Sequence, residues 1–453
     1  MQEEIFELIK EKKYARLRKF LAEMNPADIA QILEDVPERE LPVIFRILPK
    51  EIAAEVFVEM DSDMQQLLIE AFSDTELRDV MDELFMDDTV DIIDEMPATV
   101  AKRILRQTDA ATRKMINQLL AYPDDSAGSI MTTEYVDLKK DMTVDEAFDR
   151  IRRIGINSET VYTCYVTDQS RHLLGLITAK DLLLNEKSRV IGEIMEENVI
   201  YANTLDDKEE VAGLFEKYDM LALPVVDKEN RLVGIVTVDD AIDVLQEEAT
   251  EDIEKMAAIT PSDKSYFKTG IISTFKARIP WLLILMISAT FTGAIISNFE
   301  SKLTVFPALI AFIPMLMDTG GNSGSQSSVT IIRGISLGDI EFADIFRVIW
   351  KELRVALMCS GALCAVNLIK LWAVDHMIFH TFDAGLQFEE IAVVCLTLFF
   401  TVIIAKLVGC ILPILAKKIG FDPAVMASPF ITTIVDAISL FIYFSIAIVI
   451  LGV

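Results

Sequence analysis

The sequence predicts a multidomain membrane protein: an α-helical N-terminal superhelix, a repeated α/β unit, a connecting helix and a five-helix all-α transmembrane domain. Three observations predict this fold class. The N-terminal third has helical periodicity, the next third contains one pattern twice, and five apolar stretches fill the C-terminal part. The predicted boundaries are 1–128 for the helical domain, 129–189 and 190–245 for the two repeats, 246–276 for the connecting helix and 277–453 for the membrane domain.

The charge of the chain is strongly uneven. The formal net charge is −29, and it is concentrated in residues 1–263, whereas residues 264–453 are nearly neutral. A surface of such acidity repels nucleic acid and attracts cations, so we expect no nucleic-acid partner. The first residues, MQEEIFELIKEKKYARL, lack the apolar core of a signal peptide, and we therefore expect the acidic part to stay in the cytosol.

Residues 1–128 contain short amphipathic units, among them IAQILEDVP (29–37), IAAEVFVEMD (52–61) and TVDIIDEMP (89–97). The apolar face of each unit is too small to be stable alone. The units are therefore expected to stack into a superhelix.

The second pattern runs from Ile-Met through a helix and two valine-rich strands to Gly-φ-φ-Thr-x-x-Asp, and it predicts a βαββα unit. It closes at Gly175, Thr178 and Asp181 and again at Gly234, Thr237 and Asp240, and the pair resembles a tandem of CBS domains. The resemblance implies a regulatory module that often binds adenine nucleotides through this Thr and Asp, so ATP is a candidate cofactor. A helix N-cap without a ligand explains the same residues, and both interpretations stay open because Thr163 and Lys180 stand where an aromatic residue and an arginine would hold a nucleotide.

A long amphipathic helix is predicted from Val238 to Ile259. At 100° per residue, five acids lie on one half of it: Asp240, Asp243, Glu248, Glu251 and Asp252. The other half carries the apolar residues Ile242, Leu245, Ala249, Ile253 and Met256. The acidic half is either a solvated surface or part of a cation sensor.

Five apolar spans are predicted at 279–299, 303–332, 353–374, 391–416 and 423–451, each long enough to cross a bilayer of about 30 Å. Basic residues precede the first and fifth spans and flank the loop after the second, for example Lys276, Arg333 and Lys417. This charge bias places the N-terminus in the cytosol and, with five spans, the C-terminus outside.

The fifth span contains a single charged residue, Asp436. A carboxylate at bilayer depth costs about 2.5–3.5 kcal/mol or more, so such residues usually line an ion path. Ser428-Pro429 is expected to break the helix, and Ser428, Thr432 and Asp436 then form one stripe of oxygen ligands. One carboxylate beside neutral oxygens suits Mg²⁺, which dehydrates reluctantly and keeps part of its water.

The second span contains PMLMDTGGNSGSQSS (314–328). Pro314 and Gly320-Gly321 predict an interrupted helix, which membranes tolerate only where the freed backbone faces protein or water. Close packing through Gly321, Gly324 and Ser327 is the alternative and is compatible with it. Asn322, Ser325 and Gln326 add neutral oxygens suited to a hydrated ion.

The whole chain resembles the MgtE family of magnesium channels and transporters, through TGGNSGSQSS (319–328), DPAVMASP (422–429) and the isolated Asp436. The resemblance implies a homodimer with its pore on the two-fold axis, a pore aspartate at Asp436, and a "plug" helix at 246–276 that closes the pore when cytosolic Mg²⁺ is high. It implies these sensor ligands: Asp87, Asp91, Asp207, Glu209, Asp219, Asp240, Asp243, Glu248, Glu251 and Asp252. Some members carry Asn where this chain has Ser428, which affects the expected selectivity of the filter and not the pore itself.

Two other functions compete with a Mg²⁺-selective channel of a prokaryotic plasma membrane. A proton- or sodium-coupled carrier of Mg²⁺, Co²⁺ or Mn²⁺ would use Asp436 as its exchange site. A membrane-anchored enzyme lacks support, because the chain offers no nucleophile beside a base and no phosphate-binding loop. His376 and His380 have the i,i+4 spacing of metal ligands, but no third ligand is evident.

Overall fold

The computed structural model describes residues 2–262, 266, 269–303, 307–371, 373 and 388–452. His376 and His380 lie outside these residues. The chain divides into two compact units, Met1–Gln246 and Glu247–Val453.

The first part of unit one is a stack of ten short helices. They are α1 Gln2–Lys10, α2 Tyr14–Leu21, α3 Pro26–Glu34, α4 Leu41–Phe45, α5 Lys50–Val58, α6 Ser62–Ala71, α7 Asp74–Met81, α8 Met86–Glu95, α9 Ala98–Gln107 and α10 Ala110–Leu119. Alternate helices contact each other, α3 with α5, α5 with α7 and α7 with α9, while α4 contacts α6 and α6 contacts α8. Because each short helix buries its apolar face against the next but one, the stack confirms the predicted superhelix.

Local sequence signals set the ends of these helices. Asn25 caps α3 by accepting a hydrogen bond from Ala27 N, and Pro26 occupies the first turn, where its missing N–H is harmless. Ser73 and Glu76 form a reciprocal capping box at the start of α7.

Two α/β repeats complete unit one. The first contains β1 Tyr135–Lys139, α11 Val144–Ile154, β2 Thr160–Thr167, β3 Leu173–Thr178 and α12 Ala179–Leu184, and α13 Ile191–Ile194 follows it. The second contains β4 Ala202–Asn203, α14 Lys208–Tyr218, β5 Ala222–Val226, β6 Leu232–Thr237 and α15 Val238–Met256. In each repeat the first strand pairs parallel to the second and the second pairs antiparallel to the third, which confirms the βαββα prediction.

Helix α15 begins at the predicted residue, Val238, and ends at Met256, before the predicted end at Ile259. Ala241 and Val244 are its buried residues, whereas Ile242 is 56% exposed and Ile253 is 65% exposed. The apolar half predicted for this helix is therefore only partly covered in the described structure.

After the end of α15, the described residues of unit two form five long helices and one short one. They are α16 Ile271–Leu303, α17 Pro307–Ile310, α18 Ile313–Ser336, α19 Ile345–Lys370, α20 Phe388–Lys418 and α21 Ser428–Leu451. Four segments of the described residues are long and apolar enough to span a membrane: Ile271–Phe299, Phe342–Lys370, Phe388–Lys418 and Pro423–Leu451. The predicted second span corresponds to α18, whose polar residues keep it out of this set, so a fifth crossing remains a prediction.

The break predicted in the second span is absent. Helix α18 runs without interruption through Gly320 and Gly321, and Pro314 lies in its first turn, where it removes no intrahelical hydrogen bond. The break predicted in the fifth span is present. A 3₁₀ turn, Pro423–Met426, precedes α21, which begins at Ser428-Pro429.

Candidate functional site

Helix α18 has two contrasting faces. Its glycines are buried: a Cβ added at Gly321 would lie 2.8 Å from Thr432 Cγ2 on α21, and one added at Gly324 would lie 2.7 Å from Ile431 Cγ2. The glycines therefore let α18 pack closely on its neighbours, as the small-residue alternative predicted.

The opposite face of α18 is polar and exposed. Asp318, Asn322 and Gln326 follow one another at intervals of four residues, which places them in one row, and all three are exposed. Ser325, also predicted as an oxygen ligand, is buried and lies off this row. A membrane helix with such a row requires water or another polar surface beside it.

Asp436 lies on α21 close to this row. Its Oδ1 atom is buried and has no hydrogen-bond partner among the described residues, and the charge of Asp318 acts on it. Thr432, one turn earlier on α21, packs against Gly321. The side chain of Ser428 lies outside the part of the chain that the structure describes.

Asp318 is a functional candidate that the sequence analysis missed. The signal was present, since Asp318 is an acid inside an apolar segment and begins the four-residue spacing that continues at Asn322 and Gln326. The structure brings its charge near that of Asp436, so the candidate ion site holds two carboxylates instead of one.

A second group of carboxylates lies in unit one, and we call it the acidic cluster. Its members interact electrostatically although they come from separate elements: Asp87, Asp88, Asp91, Glu134, Glu159, Asp239 and Asp240. Asp87 and Asp91 were predicted as sensor residues, and so was Asp240. Glu134 and Glu159 were not predicted, because only the fold brings the starts of β1 and β2 to α8. Asp88 and Asp239, the sequence neighbours of Asp87 and Asp240, were not predicted either.

Ionisation of the carboxyl groups in the acidic cluster is electrostatically unfavourable. Burial and the neighbouring Asp88 raise the pKa of Asp87, which is 6% exposed, to about 7. Burial, together with Asp87 and Asp240, raises the pKa of Asp91 to about 8 although its side chain reaches the surface. Burial and the charges of Asp87 and Asp88 raise the pKa of Glu159 to about 9, and its Oε2 has no hydrogen-bond partner among the described residues.

Such a cluster suits a hydrated divalent cation. Within the described ranges, no group of three or more His, Cys, Asp or Glu side chains is arranged as a ligand set for a metal ion. Mg²⁺ does not require one, because it usually binds through one or two carboxylates and keeps several waters. Among the residues that the structure describes, Glu159 Oε2 has no hydrogen-bond partner, and the charged groups that raise the pKa values in the cluster are other acids, which favours binding of a cation.

The remaining predicted sensor residues lie elsewhere. Asp207 caps the start of α14 by accepting a hydrogen bond from Glu209 N, and Asp219 ends that helix in a left-handed conformation with φ 51°. All three are exposed. Asp243 and Glu248 lie farther along α15, beyond Asp240.

The predicted nucleotide residues serve as helix caps. Thr178 and Asp181 form a reciprocal capping box at the start of α12. In the second repeat Thr237 Oγ1 donates a hydrogen bond of 2.7 Å to Asp240 Oδ2. Asp240 therefore belongs to a cap and to the acidic cluster at the same time.

The last turns of α15 belong to unit two, where they contact the end of α18 and the segment that precedes α21. Lys255 Nζ lies 2.5 Å from Glu251 Oε1 and 2.6 Å from Asp422 Oδ2, just before α21. Ser336 Oγ donates a hydrogen bond of 3.0 Å to Asp252 Oδ2. The Lys255–Asp422 pair was not predicted, because nothing in the sequence indicates that these two distant residues meet.

Comparison with protein families covers most of the chain. A family of divalent cation transporters matches residues 313–446, the MgtE intracellular N domain matches residues 24–125, and CBS domains match residues 127–187 and 191–247. Similar proteins include the magnesium transporter MgtE of Thermus thermophilus, 36% identical over 97% of this chain and 96% of its own length. The magnesium transporter MgtE of Bacillus subtilis is 35% identical over 97% of this chain and 95% of its own length.

Solved structures agree for the cytosolic part. A crystal structure of the cytosolic domain of the Mg²⁺ channel MgtE in complex with ATP matches 54% of this chain and all of that chain, with a TM-score of 0.52 and 35% identity. The soluble part of a magnesium transporter matches 55% of this chain and all of its own, with a TM-score of 0.51 and 30% identity. The near full-length relatives, the matched domains and the common cytosolic fold together show that this chain belongs to the MgtE family of magnesium transporters.

Proposed function

We propose that the chain imports Mg²⁺ across the plasma membrane of a prokaryotic cell, down its electrochemical gradient, as a channel that cytosolic Mg²⁺ closes. One observation carries the proposal: Asp436 Oδ1 is buried without a hydrogen-bond partner among the described residues, and the charge of Asp318, from the polar row of α18, acts on it. Carboxylates beside amide oxygens provide the oxygen environment that a partly hydrated Mg²⁺ requires.

A second copy of the chain would complete the path. Asp318, Asn322 and Gln326 are exposed in one chain, and lipid cannot satisfy such groups at membrane depth. Two copies related by a two-fold axis would place their α18 rows around one aqueous path, with the lipid bilayer outside. In the proposed orientation the N-terminus is cytoplasmic and the C-terminus lies outside.

The acidic cluster supports control by cytosolic Mg²⁺. Binding of the cation would relieve the repulsion among the carboxylates around Asp87 and draw α8, β1, β2 and α15 together. Helix α15 carries Asp240 at one end and Asp252, which contacts α18, at the other. Shifting the ratio of closed to open channels from 1:99 to 99:1 requires a difference in binding free energy of about 5.5 kcal/mol between the two states. Because one ion at a solvated site supplies only part of this free energy, we propose that several ions bind.

ATP at the CBS pair is a further part of the proposal. It is supported by the related cytosolic domain that was crystallised with ATP. The residues involved would be Thr178, Asp181, Thr237 and Asp240. Calorimetric titration of the full-length protein with ATP tests this, with Thr237→Ala as the variant expected to weaken binding.

The alternative is a proton- or sodium-coupled carrier of Mg²⁺, Co²⁺ or Mn²⁺. It has support because the charge of Asp318 acts on Asp436, so that a proton and a cation would compete for the same negatively charged site. Flux that persists without any counter-ion gradient contradicts the carrier. Flux that stops when the gradient collapses contradicts the channel.

The decisive experiment measures Mg²⁺ flux into liposomes for the wild type and for Asp436→Asn, with internal Mg²⁺ varied. We expect the variant to lose flux and the wild type to close as internal Mg²⁺ rises. The matched control is Asp339→Asn, which removes an exposed acid just after α18. Flux that Asp436→Asn leaves unchanged would move the ion path away from α21.

A further inference from the structure

A buried lysine lies inside unit two, on a helix face that the proposed ion path does not use. Lys406, in the middle part of α20, is only 5% exposed. Its Nζ atom donates a hydrogen bond of 3.3 Å to Ser327 Oγ on α18. The same hydroxyl donates a hydrogen bond of 2.7 Å to Glu352 Oε2 on α19.

Ser327 therefore connects two opposite charges. Its hydroxyl accepts a hydrogen bond from the Lys406 ammonium and donates one to the Glu352 carboxylate. The hydroxyl thereby uses its one donor and one of its two acceptor positions. A buried ammonium at membrane depth is costly unless an opposite charge compensates it. Glu352 supplies that charge, and the three side chains tie α18, α19 and α20 together.

Glycines lie next to the three side chains Ser327, Glu352 and Lys406, which we call the triad. These glycines bring the backbones of α18 and α20 into contact. A Cβ added at Gly409, three residues after Lys406, would lie only 2.2 Å from Gly324 O. Gly324 is three residues before Ser327 and on the same side of α18. The glycines set a short distance between α18 and α20. Because glycine has no side chain to interlock with the facing helix, this contact by itself restrains rotation of α18 about its own axis only weakly.

The triad supplies a restraint on that rotation. Nine residues separate Asp318 from Ser327, which at 3.6 residues per turn is about 180° around α18. Asn322 is about 140° from Ser327 by the same measure. Gln326, which directly precedes Ser327, is about 100° away. The row that faces the proposed ion path thus lies on the other half of α18 from Ser327, with Asp318 directly opposite.

We propose that Glu352 and Lys406 are positioning residues that, through Ser327, hold α18 in the rotation that presents Asp318, Asn322 and Gln326 to the permeating ion. This inference rests on the proposed function, because it assumes that the exposed row of α18 lines the path. Neither charged residue touches the ion, and both act by orienting the helix whose side chains do.

The variants separate charge burial from positioning. Lys406→Met alone leaves the carboxylate of Glu352 without its opposite charge, and Glu352→Gln alone leaves the buried ammonium of Lys406 without one. Either single change can therefore impair folding. Glu352→Gln with Lys406→Met removes both charges and avoids that cost. The exchange Glu352→Lys with Lys406→Glu restores an opposite pair with its polarity reversed.

The experiment measures Mg²⁺ flux into liposomes from full-length protein, as maximal rate and half-saturating Mg²⁺ concentration, together with the melting temperature. We expect the double neutral variant to melt like the wild type and to need about 10- to 100-fold more Mg²⁺ for half-saturation, as when binding groups are displaced by about 1 Å. We expect the exchanged pair to recover most of the wild-type value.

Ser327→Ala removes the bridging hydroxyl, and its matched control is Ser360→Ala. Ser360 is fully buried on α19, but its hydroxyl donates only to Leu357 O of its own helix. We expect Ser327→Ala to raise the half-saturating concentration and Ser360→Ala to leave it unchanged.

Wild-type half-saturation in the double neutral variant would overturn the inference, and so would an exchanged pair that transports no better than the single variants. Asp436→Asn, measured in parallel, separates the two proposals. If it transports normally, the proposed ion path is wrong; if it abolishes flux while the double neutral variant behaves as wild type, only the positioning role is wrong.

Discussion

The two units keep carboxylates in different surroundings. In unit one the neighbours acting most strongly on Asp87 and Glu159 are other acids. In unit two Asp422 has Lys255 as a partner, and Glu352 is linked to Lys406 through Ser327, whereas Asp436 keeps an oxygen without a hydrogen-bond partner among the described residues. Among the described residues, the acids that are available to an ion are therefore those without a lysine partner.

The number of such acids also differs between the units. The acidic cluster gathers seven carboxylates, which suits a cooperative response to several ions. The membrane site pairs Asp436 with Asp318 and adds neutral oxygens, which suits a single ion that has to leave again. The following experiments test this contrast, beginning with the largest expected effect.

Neutralising the acidic cluster should remove most of the response to cytosolic Mg²⁺. The triple change Asp87→Asn, Asp88→Asn and Asp91→Asn removes three charges from one end of α8, and we expect the internal Mg²⁺ that halves the flux to rise about 5- to 150-fold. Liposome flux at a series of internal Mg²⁺ concentrations measures it. Asp94→Asn, an exposed acid on the same helix, is the control, and closure at the wild-type concentration in the triple variant would exclude the cluster as the sensor.

Removing the charge of Asp318 should weaken Mg²⁺ binding in the proposed ion path without abolishing transport. Asp318→Asn keeps the shape and takes away one of the two neighbouring charges, so we expect a roughly tenfold rise in half-saturating Mg²⁺, equivalent to about 1.4 kcal/mol. Flux at varied external Mg²⁺ measures it, with Asp339→Asn as the control. An unchanged half-saturation would leave Asp436 as the only acid that matters in the path.

Stability should rise as the pH falls through neutrality. Asp87 has a pKa of about 7 in the folded protein against an ordinary value of 3.8, so the folded state takes up its proton first, and the destabilising charge disappears as the pH falls from about 8 towards 5. One such proton changes the free energy of unfolding by up to about 1.4 kcal/mol per pH unit. We expect the melting temperature of the full-length protein to increase on acidification, and Mg²⁺ to stabilise it more at pH 8 than at pH 6.

Asp87→Asn should flatten this pH profile, whereas Asp94→Asn should leave it intact. A wild-type melting temperature that falls as the pH is lowered from 8 to 6 would contradict the expected increase. Equal stabilisation by Mg²⁺ at both pH values would show that protons and Mg²⁺ do not compete at the cluster.

The smallest effect is expected at the end of α15. Lys255→Met frees Glu251 and Asp422 from their shared ammonium, a partly exposed ion pair worth about 1 kcal/mol or less. We expect flux at low internal Mg²⁺ to rise a few-fold and flux at high internal Mg²⁺ to stay low, because Mg²⁺ can take the place of the ammonium. Lys351→Met, an exposed lysine on α19, is the control, and a variant that no longer closes at high Mg²⁺ would make Lys255 part of the gate itself.

Local sequence patterns were sufficient to predict the architecture and part of the site. The twofold Gly-φ-φ-Thr-x-x-Asp pattern predicted two βαββα units, and the long apolar runs predicted the membrane helices, because hydrophobic period and turn chemistry act locally. Asp436 was identifiable because an acid in an apolar segment is costly wherever its neighbours lie.

Which distant residues meet, and which face of a helix is covered, became known from the three-dimensional packing alone. The sequence alone could not place Glu134 and Glu159 beside Asp87, or Lys406 within reach of Ser327, since each pair is separated by many residues. It predicted a broken α18, but α20 and α21 pack against Gly320 and Gly321 and the helix stays continuous. The reason is physical: periodicity reports a preference for burial, whereas the partner that provides it is set by packing among elements far apart in the chain.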